Sequence, residues 1–447
     1  MSLRGWALLG LIVVGCGRPP SDKGEWVTQT VQERIHKDVY WQRQFEGAVA
    51  ERVLTLLAQP LTADTAVQIA LLNSPRLQAE FEEIGIAHAE LWQAGLLRNP
   101  VFGAALLFPS SSSYVKGFEF SLTGSVVDVF LRPMRQETAR WMMRETSSRV
   151  ADAVLNLAAE VERSFIRLQA AEKGLEQQAL LLKAAEVAQE LAMRQKAVGN
   201  TNAENVLTYT AAAQNARVEL AEKEAERAEL HTQLQQLMGL QVEAWTISLR
   251  QSSPAEGALA SEPLVERALS NRLDVIEKRQ EIERLCEQGA QNSWWTYTDA
   301  QLGIMTERAP EGFHATGPSL DLALPIFDHG QAERAKWWAQ VQKARQQHAA
   351  LVVMVRAQVQ SAVQRLELFR KLFQRYDSEI VPEHEAQLAQ TLKLYNVMNV
   401  GVFDLLRAKE ALIQSKIDAV SVLEAYWLAA ADLTRAIAGQ WIGEGNR

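Results

Sequence analysis

Cysteine is almost absent from this 447-residue chain, which has only Cys16 and Cys286. Seven scattered histidines supply no Cys or His pair at metal-ligand spacing, so neither a disulfide framework nor a metal centre is indicated. Basic charge is also in deficit. The formal net charge of −8 repels a phosphate backbone and disfavours binding to nucleic acid or to anionic lipid by charge alone. There is no phosphate loop, nucleophile elbow or dinucleotide fingerprint, so no catalytic residue and no cofactor is expected. After the first fifteen residues no stretch has the roughly 18 to 20 unbroken apolar residues that a membrane helix needs. Any bilayer crossing in the rest of the chain must therefore be made by strands.

The N-terminus has a different pattern. Arg4, the apolar run Trp6 to Val14 and the small Gly15 directly before Cys16 have the order of a secretory signal. Val13-Val14-Gly15-Cys16 resembles a bacterial lipobox, which makes Cys16 the expected lipidation site, 1–15 a signal peptide and 16–60 a lipidated N-terminal segment. An ordinary signal with an incidental cysteine is the alternative. Cys286, within Ile282-Glu283-Arg284-Leu285-Cys286, reads as a packed thiol in a helix.

The chain repeats itself. Val67 to Asn73 matches Val265 to Asn271 at an offset of 198, and Phe130 and Trp141 match Phe327 and Trp338 at 197. Asn205-Val206-Leu207 matches Asp404-Leu405-Leu406 at 199, and Gly239 matches Gly439 at 200, each glycine expected to stop a helix. Residues 61–250 and 251–439 are thus read as two structural repeats, followed by a tail at 440–447.

Each repeat opens with two helices. Thr62 is an N-cap candidate, Asn73-Ser74-Pro75 separates the first helix from the second, and Gly95 with Asn99-Pro100 ends the second. The period then changes from 3.6 to 2. Gly117-Phe118-Glu119-Phe120-Ser121-Leu122-Thr123 alternates apolar with polar, and so does Pro318 to Pro325. Weaker strands at Val101 to Phe108 and Asp299 to Met305 precede them, with turns at Ser110 to Ser113 and at Pro310-Glu311-Gly312 between, giving one hairpin per repeat. Phe118, Phe120, Leu122, Leu320, Leu322 and Leu324 then form an apolar row. That row packs on a core in a soluble sheet and faces lipid in a barrel with a wet lumen. Four strands cannot enclose a lumen, so several subunits would have to close such a barrel.

Helical sequence resumes for about 65 residues after each hairpin, from near Leu131 to Val198 and from near Gln331 to Val397. The expected interior break is Pro382. At 1.5 Å per residue each run is roughly 100 Å long. Return helices follow, with Ala221, Ala225 and Ala228 as small seam residues suited to close coiled-coil packing.

These residues are similar to the TolC family of outer-membrane efflux proteins over about Pro60 to Gly439. Leu61 to Val67 with Asn73-Ser74-Pro75-Arg76-Leu77 resembles the family's opening segment. Gln93 to Pro100 resembles the lead into its first strand, and Leu324-Pro325-Ile326-Phe327-Asp328-His329-Gly330 the exit from its last. The resemblance implies an α+β membrane protein: a homotrimer with four β-strands per subunit in one transmembrane β-barrel, its long helical hairpins forming a periplasmic tube. It also implies docking onto a periplasmic adaptor and, through it, an inner-membrane transporter. The docking turns would be Val198, Gly199, Asn200 and Thr201 with Asn202, and Asn399 with Val400, Gly401, Val402 and Phe403. Asp404 occupies a position where family members often carry an acid near the periplasmic constriction, and Asn205 is its counterpart in the first repeat. Met398 departs from the family pattern, since a glycine is common there. A periplasmic adaptor and a structural envelope lipoprotein without transport are the rival readings; hairpins in both halves argue against the adaptor, and pore conductance or a sensitivity phenotype on deletion separates the structural lipoprotein.

Overall fold

The computed structural model describes residues 24–41, 46–108, 116–241, 245–249, 254, 260–291, 299–309 and 312–439. Cys16, the signal segment, the Ser110 to Ser113 turn and the tail at 440–447 lie outside the described residues. Two short helices come first, α1 (Glu25–Ile35) and α2 (Glu46–Leu57). The first repeat follows as α3 (Ala63–Asn73), α4 (Pro75–Ala94), β1 (Val101–Leu107), β2 (Gly117–Ser125), α5 (Val126–Ala197) and α6 (Ala203–Leu237). The second has the same order: α7 (Ser261–Asn271), α8 (Leu273–Gln291), β3 (Ala300–Arg308), β4 (His314–Leu322), α9 (Gln331–Arg375), α10 (Val381–Asn396) and α11 (Val402–Ala436). A five-residue π turn, Tyr376–Ile380, joins α9 to α10.

Local chemistry accounts for the boundaries. The Thr62 hydroxyl accepts the Thr65 N–H and the Thr65 hydroxyl accepts the Thr62 N–H, a reciprocal cap that starts α3. Ser74 stands in extended conformation between α3 and α4, where Pro75 opens the next helix without wasting a donor. Pro382 needs a different remedy because it falls inside continuous helix. The π turn lets the Val381 N–H reach the Tyr376 carbonyl just before the proline. Pro133 also lies within a helix, because α5 begins at Val126 and not near Leu131. The ladder bond it removes is on an exposed face, where water can satisfy the freed carbonyl.

The chain divides into two compact units that do not follow the sequence repeats. One is built mainly from Phe81–Arg149 and Ile276–Ala349 and so combines the strands of both repeats. They form a single antiparallel sheet in the order β1-β2-β3-β4. Between α8 and α9, Leu285, Val341 and Ala344 make a small core. The Trp337 indole lies against the α8 backbone at Gly289, where any Cβ would collide with the ring.

The other unit is built mainly from Trp26–Glu80, Val150–Val275 and the chain from Ala350 onward. Its main core joins α5, α7, α9 and α11 through Ile166, Val265, Val355, Val359, Tyr426 and Leu433. Nearby, Arg435 donates to both Asp152 oxygens at 2.8 and 2.9 Å and to Asn156 at 2.6 Å. α6 is seated on α5 by Ala213 and Ala216 against Ala185. Ala221, Ala225 and Ala228 are exposed in the single chain, and α6 stays on α5 alongside them through Arg227, which donates to Glu172 at 2.7 Å. Gly239 ends that helix at φ +67°, with Asn73 donating to the Met238 and Gly239 carbonyls at 3.1 and 2.8 Å. In the second repeat the left-handed residue is Ala438 at φ +54°, not Gly439. The bonds at the two ends match at an offset of 199, which pairs Gly239 with Ala438.

Candidate functional site

Two features stand apart from the cores: the two faces of the sheet and the turns at the ends of the long hairpins. Register fixes the first. Phe102 pairs with Leu122, Leu122 with Ile304 and Ile304 with Pro318, while Leu302 pairs with Leu320. Because side chains alternate along a strand, Phe102, Leu106, Phe118, Phe120, Leu122, Leu302, Ile304, Leu320 and Leu322 share one face. Eight of them, including Leu106 at 68% and Ile304 at 63%, are exposed, and Phe118 is half-buried. Stacking of Phe102 on Phe120, with centroids 6.0 Å apart, and the contact of Phe120 with Phe118 tie the apolar row together laterally.

The opposite face carries Gly103, Ala105, Glu119, Ser121, Thr123, Gln301, Gly303, Glu307, Ser319 and Asp321. Besides its carboxylates it carries mostly small and polar residues, with Val101, Leu107 and Met305 as its larger apolar members. Glu119 and Glu307 stand directly opposite one another. β4 corrects one expectation: it ends at Leu322, so Leu324 belongs to the exit segment and not to the strand.

A carboxylate fixes the junction of β2 with α5. Asp128, in the first turn of α5, accepts the Arg98 N–H at 3.1 Å and the Arg135 guanidinium, and donates its own N–H to Ser125 at 3.3 Å. Burial alone would raise its pKa, but the Arg135 and Arg98 bonds outweigh that and hold it below the ordinary carboxylate value. The lead into β1 is thereby tied to the exit from β2. Asp128 was not singled out in the sequence, although an acid in a first helical turn after a strand is a signal available there.

The hairpin turns are built alike. Gly199 and Met398 both take left-handed conformations, at φ +80° and +59°. Their N–H groups donate to Lys196 and Tyr395, and the next residues, Asn200 and Asn399, donate to Gln195 and Leu394. Met398 therefore occupies the position that a glycine fills in the first repeat, and its side chain is 94% exposed. Gly401 has φ −78° and does not need to be glycine for backbone reasons. It is the N-cap of α11, so Val402 and Phe403 belong to the first turn of that helix and not to the loop. Phe403 stacks on Tyr209 of α6 with centroids 4.5 Å apart, a link between the two hairpin ends that no sequence pattern announced.

Asp404 and Asn205 are exposed and hold the same place, the third residue of α11 and of α6. The Asp404 carboxylate accepts the Gly401 N–H at 3.1 Å. Asn205 donates its N–H to the Asn202 side chain at 2.9 Å and its amide to Thr201 at 2.9 Å. Each thus has a capping role within its own turn.

Residues 66–240 match the family model described as outer membrane efflux protein. The chain is 23% identical to the cobalt-zinc-cadmium resistance protein CzcC of Cupriavidus metallidurans over 395 residues, 85% of this chain and 90% of that protein. Among solved structures it is similar to the CmeC outer membrane channel of Campylobacter jejuni, with TM-score 0.72, 12% identity, and 86% and 87% of the two chains covered. It is also similar to a membrane protein from Pseudomonas aeruginosa, with TM-score 0.70, 16% identity, and 84% and 92% covered.

Proposed function

We propose, from the premise that this chain is a member of the outer membrane efflux protein family, that three copies of it build one export channel. The observation that carries this reading is the sheet with an exposed apolar face and a polar opposite face. An apolar face turned outward suits lipid, and a polar one turned inward suits a wet lumen. β1 and β4 each have a free edge. Hydrocarbon does not tolerate free edges, so β4 of one copy pairs with β1 of the next until the barrel closes. Phe118, Phe120, Leu122, Leu320 and Leu322 then face lipid, and Cys16 carries a lipid anchor.

The turns at Val198 to Thr201 and Val397 to Gly401 dock onto a periplasmic adaptor that joins the channel to an inner-membrane transporter. Their exposed Val198, Val397 and Met398 supply apolar contact. Asp404, repeated three times, lines the constriction alongside Asn205. The chain acts as a conduit, not a catalyst. Cargo is best read as divalent metal cations: CzcC is named for cobalt, zinc and cadmium, and the lumen face carries Glu119, Glu307 and Asp321, which favour cations electrostatically.

Negative-stain imaging of the detergent-extracted protein tests the channel. A threefold particle with a detergent-covered barrel end supports it; a monomer released without detergent overturns it. Deletion of the chain from its host tests the cargo. Increased sensitivity to cobalt, zinc and cadmium supports metal export, and unchanged sensitivity rejects it.

A further inference from the structure

The charges on the sheet are segregated by face. On the apolar face the alternation ends, at the edge farthest from the helices, in Arg308, the register partner of both Phe118 and His314. Lys116, one residue before β2, lies over the Phe108 ring at 5.4 Å from its centroid, just past the end of β1. The His314 ring lies 6.2 Å from Phe118. Among the described residues this face bears no carboxylate, while Glu119, Glu307 and Asp321 all belong to the other face. The basic groups are confined to one end of the apolar band, above Phe120, Leu122, Ile304 and Leu320. Toward that end β2 reads Leu122, Phe120, Phe118 and then Lys116, while on β3 and β4 the paired Thr306 and Thr316 separate the apolar residues from Arg308 and His314.

We propose that this end of the sheet docks the phosphate groups of the outer-leaflet lipid, with Lys116 and Arg308 as the phosphate-binding cations and His314 as an added hydrogen-bond donor. The inference rests on the channel reading, which puts the strand-connecting loops outside the cell. Two observations select the occupant. A lipid presents phosphate directly above its acyl chains, matching a basic row directly above an apolar band. Long basic side chains there keep their stems on apolar surface while the charged ends reach the headgroups. Arg308 forms bidentate bonds to phosphate, and Lys116 acts as a point charge steadied on the Phe108 ring. The net charge of −8 does not oppose this, because the acids of the sheet face the other way and a headgroup senses charge only within about a Debye length. In a trimer the pair occurs three times around the rim.

The test uses the full-length trimer in nanodiscs of phosphatidylcholine containing bisphosphorylated lipid A, with retained lipid counted by native mass spectrometry. Dephosphorylated lipid A and 10 mM inorganic phosphate, about the scale of weak ion binding, serve as comparison probes. The expected result is retention of bisphosphorylated lipid A, about tenfold weaker in the Lys116→Gln/Arg308→Gln double variant, with no competition by inorganic phosphate. Equal retention by the variant, or of the dephosphorylated lipid, overturns the proposal, and so does displacement by inorganic phosphate, which would mark a free-ion site. Failure of the wild-type chain to enter nanodiscs as a trimer would sink the channel reading itself. Insertion with lipid retention indifferent to phosphate would sink this inference alone.

Discussion

Met398 and Asp128 show how single residues fix the geometry around them. A left-handed backbone costs a non-glycine residue about 1–2 kcal/mol, and glycine's extra freedom in the unfolded chain returns about 0.4–1 of that. Met398→Gly is therefore expected to stabilise the folded chain by about 0.5–1 kcal/mol, readable in denaturant titration. A loss of stability would mean that Met398 makes contacts in the assembled protein that offset its strain. Asp128 has a folded pKa below its unfolded value of about 3.9. Its stabilising effect is complete above that value and is lost as pH falls through the lower folded value. Wild type should melt higher than Asp128→Asn at pH 7, and the gap should narrow as pH falls below the ordinary carboxylate range. A gap independent of pH would show that the carboxylate charge is not what holds the junction.

Strands and helices raise different questions. Phe120→Arg puts a charge on the apolar face of β2, at an expected cost of roughly 2–4 kcal/mol if the site lies near the bilayer midplane. Folding yield into vesicles measures it, and an unchanged yield would remove Phe120 from the lipid-facing row. The long helices differ between repeats by two residues, since Trp338 and Trp141 are 197 apart while Met398 and Gly199 are 199 apart. The π turn at Tyr376–Ile380 absorbs part of this excess in one wide turn. Deleting Ser378 should rotate α10 by about 100° relative to α11. In the parent chain Glu385 and Lys416 pair at 2.8 Å, so a Glu385→Cys/Lys416→Cys pair should crosslink readily and lose that crosslink on deletion. Persistent crosslinking would show that α9 takes up the rotation instead.

At the scale of the whole molecule, the four-stranded sheet is incomplete by itself. Among the described residues, its outer strands have unpaired edges and its apolar face has no cover. An isolated copy in a bilayer would leave both edges unsatisfied, at several kcal/mol per exposed backbone group. Crosslinking of the vesicle-inserted protein should therefore yield trimers without a stable monomer pool. A persistent inserted monomer would contradict the shared barrel.

Periodicity and composition carried much of the architecture. The switch from period 3.6 to 2 marks the strands because alternation places side chains on opposite faces whatever the strand packs against. The caps at Thr62 and Pro75 were legible because they are satisfied by atoms a few residues away. The two halves share one order of elements, although α3 buries six residues and α7 only Val265 and Ala268. Tertiary structure decided what depends on distant partners. Met398 takes a glycine's place because the turn bonds to Tyr395 and Leu394 require a left-handed residue there. Within the chain, Ala213 and Ala216 pack against Ala185, a contact that depends on the approach of α5. Leu324 lies outside the strand because β3 runs out of partners at Ala300. The separation of acids from bases on the sheet needed the register of four strands, and register is a property of the paired sheet, not of any one segment.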